Sequence, residues 1–448
     1  MAYLPHTPED IQSMLDVIGK KHVDDLFAHI PAELRLSKEL NIPEAMSEPE
    51  LTRHLKTLAQ KNECGEGWLS FLGGGAYQHL IPAAVTELSM RSEFLTPYTP
   101  YQPEIAQGTL QATFEYQTLM CRIFNMEISN ASLYDGSTAL AEAVLMALRI
   151  NSKRKTVVIC DAIHPEYREV LKTLLPKSLV NLVTLPNQNG CLDRAALKSY
   201  LNDDLAAVCV QYPNFFGIVE DFQTLADDVH GVQGLLITAT PEPVSLGLLK
   251  PPGDFGADIA VGEGLSFGIP MTFGGPGLGI FTTREKYLRQ MPGRVCGETV
   301  DADGRRSYVL TLSTREQHIR REKATSNICT NQAHCATTSA IHLSMLGKEG
   351  LRELAMFNAA KTQYAISQLT SLPGVKRHFA APVFNECVLE FPKPAHEILK
   401  QLRKRNIHAG IDLSRFSPNL ANALLVCCTE VQRKEDIDHF VQELRNIL

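Results

Sequence analysis

The 448-residue chain is too long for one ordinary hydrophobic core, so we expect a large domain and a smaller one. A formal net charge of −7 without a long basic tract argues against nucleic acid as a partner, and a hydrophobic share of 44% excludes a disordered chain. We find no apolar stretch near the roughly 18 residues of a membrane span and no secretory signal at the start. The eleven cysteines lack metal-binding spacing, so we expect a soluble, cytoplasmic protein with reduced cysteines.

The first 65 residues are expected to form a helical arm. Thr7 to Asp10 has the pattern of a capping box with proline at the first helical position, and apolar residues follow at helical spacing. Ser47 to Glu50 has the same pattern and predicts a second helix start. Such an arm packs either on a partner subunit or on its own core, and the sequence does not choose between them.

Residues 71–108 combine glycine, proline and tyrosine with few aliphatic runs. They fit either a surface crossover loop or the wall of an active site. The second interpretation rests on the hydroxyl, amide and carboxylate groups between Tyr98 and Glu104, because binding residues concentrate in loops that hold polar groups in place.

A turn from Asp135 to Thr138 opens a helix whose apolar residues recur every three or four positions. The free N–H groups and the positive dipole end of such a helix bind anions, phosphate among them. Serine and threonine are also ordinary N-cap residues, so the same turn fits a plain helix start.

Short apolar strands and helices alternate from residue 156 onwards, which predicts a mainly parallel sheet covered on both faces. The expected strands are Thr156–Cys160, Leu179–Leu185, Leu205–Gln211, Leu235–Thr238, Asp258–Val261 and Leu278–Phe281. Ligands of such sheets lie at the carboxyl ends of the strands, and Asp161 and His164 follow the first strand. His164 either lies against a planar ring or starts a helix that faces solvent.

A glycine-rich segment runs from Gly253 to Gly279. Such segments occur where the backbone approaches another group closely. In pyridoxal-phosphate enzymes of the aminotransferase-like fold, a loop of this kind carries the lysine that forms the Schiff base. This segment contains no lysine, and the nearest ones are Lys250 before it and Lys286 after it.

The rest of the sequence predicts a hairpin, a basic segment and a small lobe. Asp303-Gly304 is a turn signal between two extended arms. The basic run Arg315–Lys323 fits a solvated helix face, while the small polar residues 324–330 suggest a buried anion or a subunit contact. A last helix is expected at Lys434–Leu448, capped by Thr429 with Gln432. We place the large α/β domain at residues 66–347 and a small C-terminal α+β domain at residues 348–448.

The chain resembles one family over nearly its whole length. The segments that carry the resemblance are PYTPYQPEIAQG, NASLYDGSTALAEA, PNFFGIVED, GDFGADIAVGEGLSFGIPMTFGGPG, PGRVCGETVDADGRR and TREQHIRREKATSNICTNQ. They resemble the N-terminal half of glycine decarboxylase, the P-protein of the glycine cleavage system. In many bacteria that enzyme consists of two homologous chains, and the present length matches the alpha chain, or subunit 1. The resemblance implies fold type I of the pyridoxal-phosphate-dependent transferases.

The resemblance also accounts for the missing lysine. In the family the pyridoxal-phosphate lysine lies on the other half, in a His-Lys-Thr-Phe run, and Leu265 stands at the matching position here. Near Ile237 to Thr240, where related enzymes have an aspartate against the pyridine nitrogen, we expect no acid. The resemblance implies that pyridoxal 5′-phosphate is bound covalently by a homologous, lysine-bearing beta subunit.

For the assembled enzyme, the resemblance implies decarboxylation of glycine, release of CO2 and transfer of the aminomethyl group to the lipoyl arm of the H-protein. It implies a complex of two alpha and two beta chains, in which this chain supplies an active-site wall, the subunit interface and part of the H-protein dock. The residues expected to contribute are Tyr98, Thr99, Tyr101, Gln102, Glu104, Thr325, Ser326 and Asn327. The expected remnants of a lost cofactor or anion site are Gly136, Ser137, Thr138 and His164.

Two other functions stay open. An autonomous pyridoxal-phosphate enzyme, such as an aminotransferase, would need Lys250 or Lys286 to reach the pocket. A scaffold would only present the H-protein or stabilise the catalytic chain. Kinetics of the assembled complex separate a scaffold from a subunit whose residues touch the chemistry.

Overall fold

The structure is a computed structural model that describes residues 5–38, 40–65, 67–96, 98–328 and 331–448. The chain divides into two compact units, Met1–Glu63 and Cys64–Leu448. Within the described ranges, no helix is both long enough and apolar enough to cross a membrane.

The helices of the described residues are α1 (Pro8–Val17), α2 (Glu48–Ala59), α3 (Ala83–Ser89), α4 (Gln107–Phe124), α5 (Gly136–Ile150), α6 (Pro165–Leu174), α7 (Arg194–Leu197), α8 (Leu225–Gly231), α9 (Gln317–Arg320), α10 (Ala333–Leu369), α11 (Ala395–Arg403) and α12 (Lys434–Arg445). The strands are β1 (Leu69–Ser70), β2 (Ile128–Ser129), β3 (Thr156–Cys160), β4 (Asn181–Leu185), β5 (Asn187–Gln188), β6 (Cys191–Leu192), β7 (Leu205–Gln211), β8 (Leu235–Thr240), β9 (Ile259–Glu263), β10 (Gly279–Thr283), β11 (Val295–Val300), β12 (Arg306–Thr311), β13 (Lys376–Arg377), β14 (Glu386–Glu390), β15 (Ile407–His408), β16 (Ile411–Asp412) and β17 (Ala423–Cys427).

The first unit contains α1 and α2, which begin as the sequence predicts. The Thr7 N–H donates to the Asp10 carboxylate at 2.8 Å, and the Asp10 N–H donates to the Thr7 hydroxyl at 3.2 Å. The Ser47 N–H donates to the Glu50 carboxylate at 2.9 Å. These side chains satisfy amide groups that a helix start leaves without helical partners.

The second unit is built on a seven-stranded sheet with the order β2-β10-β9-β8-β7-β3-β4. The five strands from β9 to β4 are parallel, while β10 runs antiparallel to β9 and to β2. This confirms the mainly parallel sheet. The six predicted strands are all present, each with its bounds shifted by at most two residues.

Both faces of the large sheet are buried, and the side chains of β3 show how. Val157 and Ile159 belong to the apolar cluster that includes α5, whereas Val158 and Cys160 belong to the cluster on the other face, which includes α8. A strand covered on both faces favours apolar side chains at every position, which is why these strands are continuous apolar runs in the sequence.

A second sheet, with the order β13-β14-β17-β16, is antiparallel and packs with α11, α12 and the end of α10. Helix α10 has a break at Gly347, where φ is 62°. The short strand β1 pairs with β15 in parallel, so residues 69–70 lie against this C-terminal lobe before the chain continues to the large sheet.

The last helix begins at the predicted residue, but its cap is not the predicted one. Helix α12 begins at Lys434, and the N–H of its N-cap residue, Arg433, donates to Asp436 at 2.9 Å. The Thr429 N–H does donate to Gln432 at 2.7 Å, but the Thr429 hydroxyl donates to the Gln78 carbonyl. Thr429 therefore closes a turn at the end of β17, and the cap that the sequence predicts there is wrong.

Candidate functional site

A cavity of about 650 Å³ lies at the carboxyl end of the large sheet. It is lined by Asp135, Glu166, Glu263, Leu265 and the glycine-rich residues 271–277, among others. The lining contains three carboxylates and, among the described residues, no lysine or arginine. The cleft therefore has an acidic wall where a phosphate-binding cleft needs donors and positive charge.

The start of α5 is already bonded to carboxylates of the chain itself. Asp135 accepts hydrogen bonds from the Thr138 N–H at 2.8 Å and from the Ser137 hydroxyl at 2.6 Å. The Gly136 N–H donates to the carboxylate of Glu263 at 3.0 Å. The turn at 135–138 is thus a capped helix start. The anion that its Gly136 amide binds is the side chain of Glu263, a residue of the same chain.

Glu263, which the sequence interpretation missed, holds three parts of the cleft together. Besides Gly136, it accepts from the amides of Leu265 at 3.1 Å and Leu278 at 2.8 Å, and the residue is only 7% exposed. Burial raises the pKa of the Glu263 carboxyl, and the Leu278 and Gly136 amides act against that shift. The available signal was an acid between two glycines at the end of an apolar strand.

Leu265 lies on the wall of the cleft, and neither candidate replacement lysine reaches this cavity. Leu265 is half-buried and packs at the edge of the apolar cluster that contains Phe267. Lys286 lines a different pocket, where its ammonium lies 3.8 Å from Asp258. Lys250 is exposed and does not line the cleft.

An acid does lie close to Ile237–Thr240, which corrects the expectation that this place has none. Glu242 follows β8 by two residues, is 2% exposed and accepts a 3.0 Å hydrogen bond from the Ser266 hydroxyl. Its carboxylate also lies 3.1 Å from Nε2 of His79. The prediction considered only residues of the strand, whereas Glu242 belongs to the turn that follows it.

His79 lies between two buried carboxylates. Its Nδ1 atom is 2.8 Å from Glu430, opposite the contact with Glu242. Burial alone would lower the pKa of His79, but the two carboxylates outweigh burial and raise it to about 10. His79 is therefore an imidazolium at neutral pH, and Glu242 serves an internal ion pair rather than a ligand.

A second buried carboxylate fixes the same segment further upstream. Glu386 accepts from the Gly74 N–H at 2.6 Å and from the Tyr77 hydroxyl at 2.8 Å. Burial raises the pKa of Glu386 to about 7. The residues 73–81 are thus tied to the C-terminal lobe and to the end of β8, which makes them a rigid wall of the site.

His164 combines parts of both sequence interpretations. It caps α6, since its Nδ1 accepts from the Glu166 N–H at 3.1 Å, but it is buried instead of facing solvent. Its Nε2 lies 2.6 Å from the carbonyl of Gly74 and donates to it. With one nitrogen accepting and the other donating, the ring is neutral, in agreement with burial lowering the pKa of His164.

The two segments expected at the interface both contact residues 315–318. Tyr98 and Tyr101 are exposed and contact each other edge to face, with ring centroids 6.2 Å apart. Thr99 is buried, while Gln102 and Glu104 are exposed.

Tyr101 is held from below by a buried ion pair. The Tyr101 hydroxyl accepts a hydrogen bond from Arg294. The Nε atom of Arg294 lies 3.2 Å from the Glu316 carboxylate and forms an ion pair with it, although Nε makes no hydrogen bond to any described residue. The Tyr101 ring also contacts the ring of His318 at 6.3 Å.

Thr325, Ser326 and Asn327 follow the basic run Arg315–Lys323 in the chain. The Thr325 N–H donates to the carbonyl of Arg315 at 2.9 Å, and Asn327 accepts from the Gln317 amide at 3.1 Å. The Ser326 hydroxyl accepts from Ile328 within the turn. Residues 98–104 and 325–327 therefore both contact residues 315–318, and none of them lines the 650 Å³ cleft.

Comparison with known proteins assigns the chain to a family. A sequence model described as the glycine cleavage system P-protein matches residues 1–444. The chain belongs to this family. Relatives named probable glycine dehydrogenase (decarboxylating) subunit 1 include one from Desulfotalea psychrophila, 48% identical over 99% of this chain and 98% of its own length. Another, from Geotalea uraniireducens, is 50% identical over the full length of both chains.

Solved structures agree with the assignment. A crystal structure of glycine decarboxylase (P-protein) of the glycine cleavage system, in inhibitor-bound form, has a TM-score of 0.90 at 43% identity and covers all of both chains. Glutamate decarboxylase of Lactobacillus brevis has a TM-score of 0.68 at 12% identity, over 93% of this chain and 95% of its own, which shows the fold alone. This P-protein family chain has fold type I of the pyridoxal-phosphate-dependent enzymes.

The cleft of this family member does not fit pyridoxal phosphate, the group that its fold implies. Leu265 cannot form an imine. The amide of Gly136 at the start of α5 is bonded to Glu263, and carboxylates line the cleft without a balancing cation among the described residues.

Proposed function

We propose that this chain is the lysine-free alpha subunit of a glycine dehydrogenase (decarboxylating). It works with a homologous beta subunit that binds pyridoxal 5′-phosphate covalently through its own lysine. The assembled enzyme decarboxylates glycine, releases CO2 and transfers the aminomethyl group to the lipoyl arm of the H-protein. The observation that carries the proposal is Leu265 on the cleft wall of a chain 48% to 50% identical to proteins named subunit 1.

The proposed assembly contains two alpha and two beta chains. The name subunit 1 of the relatives supports a sibling chain, and the acidic cleft supports a place for the cofactor elsewhere. The ten described cysteines are free thiols, which supports a reducing compartment, and we place the enzyme in the cytoplasm. We keep the domain bounds 1–65, 66–347 and 348–448 as part of this proposal.

Within the complex, residues 98–104 and 325–327 supply this chain's share of the active-site wall and subunit interface. Two exposed tyrosine rings on a fixed base are well suited to this, because aromatic side chains contribute much contact area at a small entropic cost. The buried pair of Arg294 and Glu316 holds Tyr101 in position before the partner binds.

Steady-state kinetics of the assembled complex test this role. Tyr98→Ala, Glu104→Gln and Asn327→Ala should each lower the turnover of glycine while size-exclusion chromatography shows an intact complex. Glu435→Gln, an equally exposed acid at the start of α12, is the matched control and should leave turnover unchanged. Unchanged turnover in all three variants would favour a scaffold that presents the H-protein without touching the chemistry.

The autonomous enzyme is the weaker alternative, because Lys250 and Lys286 do not line the cleft. Borohydride treatment of the isolated chain with pyridoxal phosphate decides it. A reduced pyridoxyl group on either lysine would support the alternative and overturn the proposed division of labour.

A further inference from the structure

We infer that the Glu263 carboxylate is a built-in anion that occupies the place of a phosphate at the start of α5 and keeps phosphorylated ligands out of this chain. This goes beyond the proposed function, because a chain without the lysine can still hold a phosphorylated cofactor by non-covalent contacts. Glu263 is thus a residue that determines specificity by exclusion.

The hydrogen bonds of Glu263 are those that an anion makes at such a place. One carboxylate oxygen accepts from the Gly136 N–H at the first residue of α5, and the other accepts from the amides of Leu265 and Leu278. Backbone N–H groups at a helix start bind anions through directed hydrogen bonds and the helix dipole. An incoming phosphate would have to displace a carboxylate that is tethered to the strand and held by three amide hydrogen bonds.

The Glu263 side chain is packed closely against the backbone on two sides. A Cβ added at Gly277 would lie 3.1 Å from the carboxylate oxygen that bonds to Gly136. A Cβ added at Gly136 would lie 3.2 Å from the Glu263 Cβ and 2.2 Å from the Tyr167 hydroxyl. The backbone at Gly136 and Gly277 is therefore in close contact with the Glu263 side chain, so the carboxylate already fills the space next to the Gly136 amide.

The charges around the cleft act in the same direction. Asp135 and Glu166 also line it, and no lysine or arginine of the described residues does. A phosphate dianion that approached α5 would meet carboxylates and would lose its hydration shell without a compensating cation.

Chemical rescue with a small anion distinguishes this role from ordinary structural hydrogen bonding. In the full chain, Glu263→Ala removes the carboxylate and leaves three amides without it. We expect the Tm of this variant to fall by several degrees, and we expect sodium formate to restore it in a saturable manner, since formate is a free carboxylate of the same shape. Sodium chloride at equal ionic strength should not restore it.

Two further variants complete the experiment. Glu263→Gln keeps the volume and one acceptor oxygen, so it should fold and show no response to formate. Glu166→Ala removes a carboxylate from the same cleft that is exposed and should also show no response. With inorganic phosphate as the probe, phosphorus NMR should show line broadening with Glu263→Ala and none with the wild type.

The opposite results are equally clear. Phosphate binding to the wild type as strong as to Glu263→Ala would overturn the inference. The inference would also be overturned if Glu263→Ala folds and its Tm does not respond to formate. The same holds if Glu263→Ala stays unfolded in formate while Glu263→Gln folds. None of these results bears on Leu265, which borohydride trapping tests separately, so the inference and the proposed function can fail independently.

Discussion

The backbone N–H of Leu265 donates a 3.1 Å hydrogen bond to the carboxylate of Glu263. The residue that the family resemblance matches to the lysine, and the carboxylate that we infer takes the place of a phosphate, therefore belong to one turn. The same carboxylate reaches Gly136 at the start of α5. The amides at this end of the cleft already donate to Glu263, so a lysine in place of Leu265 would not by itself create a cofactor site.

Gly136→Ala should destabilise the protein because the close contact at the start of α5 has no room for a methyl group. The added Cβ would lie 2.2 Å from the Tyr167 hydroxyl, on a buried tyrosine that cannot move freely. We expect a loss of about 1–3 kcal/mol in the free energy of unfolding, measured by urea titration.

Gly108→Ala is the matched control for that substitution. Gly108 is an exposed glycine in the first turn of α4, and a Cβ there meets no atom within 4 Å. Alanine should raise the stability by about 0.5–1 kcal/mol because it reduces the freedom of the unfolded chain. Equal effects of the two substitutions would refute the close packing around Gly136.

His79→Gln should change the pH dependence of stability. The folded-state pKa of about 10 lies above the ordinary value of 6.5, so the imidazolium stabilises the fold fully below pH 6.5, and this contribution is lost as the pH rises toward 10. The variant lacks the charge between Glu242 and Glu430 and should lose about 3–5 kcal/mol at pH 7, as expected for a broken buried ion pair.

The measurement is a series of urea titrations of both proteins between pH 6 and pH 10. The stability difference between wild type and variant should shrink as the pH rises. Taking the difference removes the contribution of other groups, such as Glu386, whose raised pKa also makes the fold less stable as the pH rises from 4.5 through about 7. Parallel curves for the two proteins would contradict a charged His79.

Glu316→Gln should destabilise the base of the Tyr101 contact. Arg294 and Glu316 are both nearly buried, with 4% and 11% of their side chains exposed, so removing one charge leaves the other without compensation. We expect a loss of about 3–5 kcal/mol in the free energy of unfolding. Turnover of the assembled complex should fall as well, since Arg294 no longer fixes Tyr101.

Glu298→Gln provides the comparison. Glu298 lies at the same distance, 3.2 Å, from Arg306, but about half of each side chain or more is exposed. Exposed pairs contribute less than about 1 kcal/mol, so this variant should be almost neutral in denaturant titrations. Similar losses for Glu298→Gln and Glu316→Gln would show that burial of the Arg294 pair has no special effect.

Local sequence patterns predicted the secondary structure well where burial alone determines the residue types. The runs Thr156–Cys160 and Leu205–Gln211 are strands with the predicted bounds because both of their faces are buried. A local pattern misled us at Thr429, where a threonine and a glutamine three residues apart close a strand-end turn instead of a helix start. The hydrogen bonds of such a turn resemble those of a capping box.

The site was less predictable because its contacts join distant parts of the chain. The turn at Asp135 fitted either an anion site or a plain helix start, and the structure shows a capped start whose Gly136 amide donates to Glu263, 127 residues further along the chain. His79 is likewise separated by 163 residues from Glu242 and by 351 from Glu430. Such contacts follow from the strand order of the sheets and leave no periodic signal in the sequence.

The location of the pyridoxyl group in the assembled enzyme tests the central claim most directly. The assembled complex that is active on glycine would be loaded with pyridoxal phosphate and reduced with borohydride. Its two kinds of chain would then be separated, and the mass of each would be measured by mass spectrometry. We predict that the added pyridoxyl mass appears on the partner chain only, and that this chain keeps the mass of its 448 residues. A reduced pyridoxyl group on any lysine of this chain would contradict the account.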